Sequence, residues 1–344
     1  MRGFTFIDLF AGIGGFRLAL EEQNGICVYS SEWDKNSQNT YEKNFGEIPF
    51  GDITKIDAAE IPKHDVLCAG FPCQAFSVSG NRRGFDDTRG TLFFDIARIV
   101  KYHKPKVLFL ENVKNFARHD GGKTLEVILK TLNDLGYKTN YEILRSSDYG
   151  VPQARERIYI IAFRDDLKLK EFKYPTRSKK LKVVRDILEE EPVAIENYIY
   201  RKDINLIKDY EISDPRRPKQ IGKINKGGQG ERIYSTNAAG ITLSAYGGGA
   251  ASKTGAYFVN GKVRKLTPRE CARMQGFPEK FKLPSTRPLA YKQFGDSVSV
   301  PVIRAVFKEV LNSYPKLIKK NVELSDANKM KLQPLTLGLS LQNE

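Results

Sequence analysis

A chain of 344 residues is long enough for about two domains and a sizeable hydrophobic core, which excludes a disulfide-stapled miniprotein. Hydrophobic residues make up 40% of the sequence, and no apolar run approaches the ~18 residues of a membrane span, so we expect no transmembrane segment. The N-terminus lacks the pattern of a secretory signal, and the four dispersed cysteines predict free thiols in a reducing compartment. These features favour a cytoplasmic protein.

Net charge is the most informative bulk property. The chain carries 56 Lys and Arg against 41 Asp and Glu, which gives a formal net charge of +15. Residues 214–282 contain 14 basic and 4 acidic residues, so a net +10 of that excess lies in one segment. This clustering predicts a polyanionic partner such as nucleic acid. A basic solubilising face is the alternative explanation.

Strand-like and helix-like stretches alternate along the first half of the chain. Apolar runs of strand length occur at residues 4–10, 27–31, 65–69 and 106–110. Helical patterns follow the first glycine loop and recur at residues 92–100 and 125–135, so we expect an α/β fold with a Rossmann-like, doubly wound, mostly parallel sheet. Two later strands, at residues 141–145 and 157–163, are joined by a loop too short for a helical crossover and should be antiparallel.

The periodic pattern weakens after about residue 177, which places a domain boundary near residue 185. The region beyond it is glycine-rich and predicts a smaller, loop-rich domain. A helical pattern returns at residues 290–311. We therefore divide the chain into a first domain, a second domain, a return to the first domain and a polar tail, at residues 1–185, 186–284, 285–311 and 312–344.

Glycines and an acid follow the first two predicted strands, where an open parallel sheet binds its ligands. Gly12, Gly14 and Gly15 form a loop that opens a helix, and Glu32 lies 20 residues beyond Gly12. Nucleotide-binding units place a ribose-binding acid at this spacing. Arg17 replaces the third glycine of the dinucleotide fingerprint, so we expect a cofactor with a single nucleoside rather than NAD.

A cysteine and a second acid follow the third and fourth predicted strands. Cys73 lies in a Pro/Gly loop near basic residues, a setting that lowers a thiol pKa and suits a nucleophile, whereas an inert buried thiol is the alternative. Glu111 ends an apolar strand, where partial protonation would suit proton donation. Trp33, the only tryptophan, is a candidate for stacking on adenine or else a core indole.

Basic loops are expected at the same edge of the sheet. Arg82 and Arg89 lie in a glycine-rich loop that could close over a phosphate backbone or be an ordinary surface loop. Arg155 and Arg157 lie between the two predicted antiparallel strands and would add guanidinium groups to the cleft. No cluster has the ligand spacing of a metal site, so we expect no metal.

Eight motifs stand in the order and approximate spacing of the DNA cytosine-5 methyltransferases: DLFAGIGGF, EWD, GDI, GFPCQAFS, ENV, QARER, RECARMQGFP and GDSV. The chain resembles this family over about residues 3–311, and within it the bacterial HhaI-type restriction–modification enzymes most closely. The resemblance implies a methyltransferase fold that uses S-adenosylmethionine, leaves S-adenosylhomocysteine and acts on a flipped cytosine in double-stranded DNA. It also implies that the second domain recognises the target.

The resemblance further implies a cytoplasmic, nucleoid-associated bacterial monomer, with a cognate restriction endonuclease as a genetic partner that it need not contact. It assigns Cys73 to attack on cytosine carbon 6 and Glu111 to ring nitrogen 3. Arg155 would hold the pyrimidine carbonyl, and Arg157 would order the pocket.

The cofactor residues that the resemblance implies are Phe10, Gly12 and Gly14 for the methionine end, Glu32 for the ribose, Trp33 for the adenine face, Asp52 and Ile53 for the adenine edge, and Leu92 and Ser297 for the rest of the pocket. One residue departs from the family pattern, because Asp296 stands where an asparagine is usual. We expect this carboxylate to be solvated or locally hydrogen-bonded.

The residues expected to contact DNA are Ser79, Arg82, Arg89, Gln229, Arg232 and Tyr246. Ser79 and Gln229 would fill the space that the flipped base leaves, and Arg232 suits a bidentate contact with guanine. The resemblance of the recognition segment to the HhaI-type one implies a GC-only palindrome, with GCGC methylated on its first cytosine as the expected site, although residues 237–240 depart from the HhaI-type pattern.

Three other functions share some of these features. A dinucleotide-dependent oxidoreductase would share the first glycine loop, but it accounts for neither Arg17 nor the basic second domain. A non-catalytic DNA-binding protein has no need of Cys73 and Glu111 at one edge. A transfer-RNA cytosine methyltransferase would use similar chemistry, and the large basic recognition segment favours DNA over RNA.

Overall fold

The structure is a computed structural model that describes residues 2–72 and 92–322. Its larger sheet contains β1 (Phe4–Leu9), β2 (Gly25–Ser31), β3 (Val66–Gly70), β4 (Val107–Val113), β5 (Tyr137–Arg145) and β6 (Glu156–Arg164). The strand order is β2-β1-β3-β4-β6-β5, with β1 to β4 parallel and β6 antiparallel to both neighbours. The predicted doubly wound, mostly parallel sheet with an antiparallel final pair is therefore confirmed.

The helices are α1 (Gly15–Glu21), α2 (Lys35–Phe45), α3 (Leu92–His103), α4 (Lys123–Asp134), α5 (Pro268–Gln275), α6 (Arg287–Asp296) and α7 (Val300–Ser313). They pack on both faces of the sheet because successive strand residues point to opposite sides. In β4, Phe109 packs with Phe307 of α7 in one buried core, whereas Leu108 lies in a second core with Ile96 of α3. No described helix has the length and apolarity needed to cross a bilayer.

The helical pattern predicted over residues 290–311 corresponds to two helices, α6 and α7. Helix α6 ends at Asp296, and the chain is extended at Ser297 and Ser299 before α7 begins. Pro301 lies in the first turn of α7, where its missing amide donor costs nothing and its fixed φ favours a helix start. The break brings Ser297 beside the first glycine loop, since a Cβ added at Gly15 would lie 3.2 Å from its Oγ.

The second part of the chain contains a sheet of its own. Its strands are β7 (Ile204–Leu206), β8 (Gln220–Ile224), β9 (Arg232–Ser235), β10 (Ala256–Val259) and β11 (Lys262–Lys265). They pair in the order β11-β10-β9-β8-β7. Each strand has only three to five residues, so much of this region is loop, and the sequence indicated the loops but not the sheet.

A buried ion pair joins the second sheet to α5. Arg264 of β11 donates from Nη1 and Nη2 to the two carboxylate oxygens of Glu270 at 2.8 Å each, and both side chains are completely buried. Glu270 also accepts from the backbone amide of Thr267 at 2.8 Å, while the Thr267 hydroxyl accepts from the Glu270 amide. This capping box fixes the start of α5, so the ion pair orients the helix as well as filling the junction.

We expect Arg264→Met to destabilise the protein by about 3–5 kcal/mol, because it leaves the buried Glu270 carboxylate without its cation. Urea unfolding of the native and variant proteins measures the difference. The matched control is Arg201→Met, because Arg201 makes the same two-pronged contact with Asp203 on the surface. That exposed pair should contribute less than about 1 kcal/mol. Equal losses in the two variants would contradict a special role for the buried pair.

Candidate active site

Glu111 lies at the carboxyl edge of the larger sheet, opposite the last residue of β3. It is the register partner of Gly70, and its Oε2 lies 3.6 Å from where a Gly70 Cβ would be. Only 8% of the residue is exposed, and Oε1 has no hydrogen-bond partner among the described residues. Burial raises the pKa of Glu111 above its usual range, against the lowering effect of Arg157 and Arg155. Burial therefore favours the protonated form of this carboxyl group.

The two arginines predicted for the pocket have different surroundings. Arg157 places Nε 3.2 Å from Glu111 Oε1, so it faces the acid directly. Arg155 is 2% exposed and donates from Nη1 to the carbonyl oxygens of Gly295 and Leu243, at 3.0 and 3.4 Å. Arg155 thus joins the start of β6 both to α6 and to the loop that carries Leu243.

The predicted nucleophile Cys73 lies outside the described residues, and so do Ser79, Arg82 and Arg89. The chain that leads to Cys73 is held at the site, because Asn112 donates its side-chain amide to the carbonyl oxygen of Phe71 at 2.9 Å. Asn112 directly follows Glu111 in β4, so one strand end carries both the acid and the side chain that holds this segment.

Glu32 ties the first glycine loop to the turn after β2. Its two carboxylate oxygens accept from the backbone amides of Gly12 and Asp34, each at 2.8 Å. Burial raises its pKa, while these hydrogen bonds lower it. A carboxylate has about four lone-pair positions, so Glu32 can still accept from the two hydroxyls of a ribose.

The loop beside Glu32 has open space at Gly12 and is tightly packed at Gly14. Gly12 has φ +55°, and nothing lies within 4 Å of the position of an added Cβ. At Gly14 an added Cβ would lie 2.2 Å from Cε2 of Phe45. The buried Arg17 guanidinium stacks over the Phe45 ring, 4.6 Å from its centroid. An arginine–aromatic stack therefore occupies the helix start, where a dinucleotide-binding unit would have its third glycine.

The other predicted cofactor residues surround this loop. Trp33 is 77% exposed, which rules out a core indole and leaves its face free for a base. Asp52 accepts from the amide and hydroxyl of Thr54, whereas Ile53 is buried. Phe10 has φ 55° at the end of β1. Leu92 is half-buried at the start of α3, and Ser297 is 9% exposed.

None of the sequence motifs points to Lys292, which joins α6 to the turn that carries Trp33. Its Nζ lies 3.4 Å from Asp296 Oδ2 and 3.5 Å from Asp34 Oδ2. The departure from the family pattern at Asp296 is thus a half-exposed carboxylate beside a lysine, as expected for a locally satisfied group. The four-residue spacing of Lys292 and Asp296 on a helix could have revealed half of this contact.

Three predicted DNA contacts lie on the surface of the second part: Gln229 and Arg232 are exposed, and Tyr246 is 73% exposed. The basic excess of this region is only partly available for phosphate. Arg264 is completely buried, and Arg216 is 7% exposed, with its guanidinium donating to backbone carbonyl oxygens of Ser147 and Ser178. Some of the basic residues counted for DNA binding therefore hold the fold together.

Comparisons with known proteins agree with this geometry. The family profile described as C-5 cytosine-specific DNA methylase matches residues 4–312. The Type II methyltransferase M.HhaI of Haemophilus parahaemolyticus is 55% identical over 89% of this chain and 94% of its own length. The Type II methyltransferase M.HpaII of Haemophilus parainfluenzae is 44% identical over 90% of this chain and 89% of its own length.

Solved structures show the same fold at lower identity. The S. pombe Dnmt2 methyltransferase has a TM-score of 0.71 and 21% identity, covering 90% of this chain and 98% of its own. The Entamoeba histolytica methyltransferase EhMeth has a TM-score of 0.66 and 20% identity, covering 91% of this chain and 99% of its own.

An open α/β sheet whose carboxyl edge carries a glycine loop and two buried carboxyl groups is typical of proteins that bind a nucleoside cofactor. The chain belongs to the C-5 cytosine-specific DNA methylases. It is a DNA (cytosine-5) methyltransferase with S-adenosylmethionine as its cofactor. The open space at Gly12, the remaining acceptor positions of Glu32 and the exposed indole of Trp33 fit the methionine, ribose and adenine parts of that molecule. This family membership excludes the oxidoreductase and non-catalytic alternatives, and the Type II methyltransferase relatives favour DNA over transfer RNA.

Proposed function

We propose that the enzyme methylates the first cytosine of the duplex sequence GCGC and so protects host DNA against a cognate restriction endonuclease. The Type II methyltransferase relatives support this setting. One chain carries both the cofactor edge and the recognition sheet, which supports a monomer. It would act in the bacterial cytoplasm, at the nucleoid, without contacting the endonuclease.

The observation that carries the proposed chemistry is the buried, incompletely satisfied Glu111 carboxyl beside Arg157. Carbon 5 of cytosine is a poor nucleophile in an intact aromatic ring. Addition of the Cys73 thiolate to carbon 6, with proton donation from Glu111 to nitrogen 3, makes the ring enamine-like. When bound, S-adenosylmethionine supplies the electrophilic methyl group. Carbon 5 would form a bond to this methyl group as the methyl–sulfur bond breaks. Loss of the carbon 5 proton to a base, elimination of the Cys73 thiolate from carbon 6 and return of the nitrogen 3 proton to Glu111 would then restore the aromatic base.

These steps require an extruded base, because a stacked cytosine exposes neither face to Cys73. Arg157 orients the Glu111 carboxyl in this proposal. Arg155 would hold the pyrimidine carbonyl, and its hydrogen bonds to the carbonyl oxygens of Gly295 and Leu243 fix its position. Gln229 and Ser79 would fill the vacated space, and Arg82 and Arg89 would contact the phosphate backbone.

The recognition assignment is supported by where the sequence departs from the HhaI-type pattern. Ala238 and Ala239 are completely buried, and Gly240 pairs through its backbone with Pro152 and Ala154 next to β6. These three residues form the junction with the larger sheet, so their identity does not change the groups presented to DNA. Asn237, the remaining residue of the departing segment, is exposed and accepts a hydrogen bond from Arg185 at 3.2 Å. Arg232 remains exposed at the start of β9, where its guanidinium can contact a guanine.

We expect plasmid DNA treated with the enzyme and S-adenosylmethionine to resist a nuclease that cuts unmethylated GCGC. Arg232→Ala should weaken discrimination at one guanine by about 1–3 kcal/mol and so lose this protection at limiting enzyme. Bisulfite sequencing of the same DNA identifies the methylated position.

Lys226→Ala is the control for charge alone, because this exposed lysine should neutralise phosphate and weaken binding to all sequences alike. Methylation mapped to another sequence would refute GCGC while leaving the enzyme class intact. An unchanged target preference in Arg232→Ala would refute the role of that residue.

A further inference from the structure

Two loops at the exposed end of the second sheet touch through their backbones. We call residues 226–232 the first recognition loop and residues 246–252 the second recognition loop. A Cβ added at Gly230 would lie 1.9 Å from the carbonyl oxygen of Gly248. From the other side, a Cβ added at Gly249 would lie 2.6 Å from the carbonyl oxygen of Gly230. The loops are also joined by a hydrogen bond from the Ala251 amide to the Gly230 carbonyl oxygen, at 2.8 Å.

This contact cannot be relieved by rotating a side chain. Both partners are backbone, so a methyl group at position 230 would force the loops apart by roughly 1 Å to restore van der Waals separation. Binding groups must be held within about 0.5 Å of their productive positions. A displacement of this size would therefore move every side chain of the first recognition loop that contacts DNA out of its productive position.

The residues on either side of the contact are the exposed candidates for DNA recognition. Gln229 directly precedes Gly230, Arg232 follows two residues later, and Tyr246 opens the second loop. We infer that Gly230 is a positioning residue for target recognition, because its lack of a side chain lets the second loop set the position of Gln229 and Arg232. The inference rests on the proposed function, in which these side chains contact DNA.

The second loop is in turn fixed to the catalytic part of the chain. A Cβ at Gly295 would lie 2.3 Å from the amide nitrogen of Ala245, so the return segment presses directly against the backbone that enters the loop. Arg155 binds the carbonyl oxygens of Leu243 and Gly295 and closes the same contact. A chain of contacts thus runs from the base pocket to Gly230. These contacts fix the position of the side chains that would contact DNA relative to the pocket that would receive the extruded base.

The test compares Gly230→Ala with Gly248→Ala. The two substitutions add the same methyl group to opposite sides of one contact, but nothing lies within 4 Å of a Cβ at Gly248. Gly230→Ala should raise the Kd and KM for a GCGC duplex at least ten-fold and reduce discrimination against a duplex with one changed base. Its Kd for S-adenosylmethionine by calorimetry and its unfolding midpoint should stay native. Gly248→Ala should match the native protein in all five measurements.

Gly249→Ala provides a second variant, because it narrows the same contact from the other loop and also strains the backbone at φ +95°. It should reproduce the loss of DNA affinity with a native cofactor Kd. Arg232→Ala, measured in parallel, separates the two levels of the proposal. If Arg232→Ala loses discrimination while Gly230→Ala and Gly249→Ala bind DNA as the native protein does, the positioning role is overturned and the proposed function stands. If Arg232→Ala also binds natively, the recognition assignment itself fails. Weakened cofactor binding or unfolding in both glycine variants would show a general structural role and would also overturn the inference.

Discussion

Cys73→Ala should abolish methyl transfer while duplex DNA and S-adenosylmethionine still bind. Without a nucleophile at carbon 6 the cytosine ring stays aromatic, and carbon 5 cannot attack an electrophilic methyl group. Incorporation of a radiolabelled methyl group into DNA measures the loss. A duplex with 5-fluorocytosine at the target should trap the native enzyme as a denaturation-resistant adduct, because fluorine cannot leave as a proton does. Cys73→Ala should form none.

Cys27→Ala is the matched control, since it removes a thiol that the proposed reaction does not use. Burial raises the pKa of Cys27 to about 12, so this cysteine stays protonated and is a poor nucleophile at neutral pH. Its variant should trap the fluorinated duplex as the native enzyme does. An adduct that persists in Cys73→Ala would assign the nucleophile elsewhere.

The larger sheet and its edge could be predicted from sequence because both depend on local patterns. Apolar runs give the strands, and parallel strands bring the residues that follow them to one edge. Glu32 and Glu111 are 79 positions apart in sequence, yet the end of a strand places each of them at that edge. The antiparallel pairing of β5 and β6 could be predicted from the length of the loop between them alone.

Contacts between distant segments could not be predicted in this way. Nothing local to Arg264 distinguishes it from the basic residues around it, although the structure buries it against Glu270 while Arg232 stays exposed. Lys292 and Asp34 meet across 258 positions of sequence. The small sheet escaped detection because strands of three to five residues carry too few periods of alternation to stand out from loops.

Glu111→Gln should reduce kcat by about 10²–10⁴-fold, the usual contribution of a positioned general acid. The amide has nearly the same shape and can still donate a hydrogen bond, but it cannot transfer a proton to nitrogen 3. Affinity for DNA and S-adenosylmethionine should change little, because the described contacts of Glu111 are with Arg157 and the end of β3. Single-turnover methylation, with DNA affinity measured separately, distinguishes a loss of chemistry from a loss of binding.

The pH profile gives a second readout of the same group. Burial raises the pKa of Glu111, so its protonated, proton-donating form persists to higher pH than an ordinary glutamic acid and disappears as pH rises through that raised value. The methylation rate of the native enzyme should therefore fall at alkaline pH, which gives its pH profile an alkaline limb. The profile of Glu111→Gln should lack this fall. Glu156→Gln is the matched control, because this exposed carboxylate pairs with Lys114 at 2.7 Å rather than with the pocket. A full rate in Glu111→Gln, or an unchanged alkaline limb, would show that the proton comes from another group.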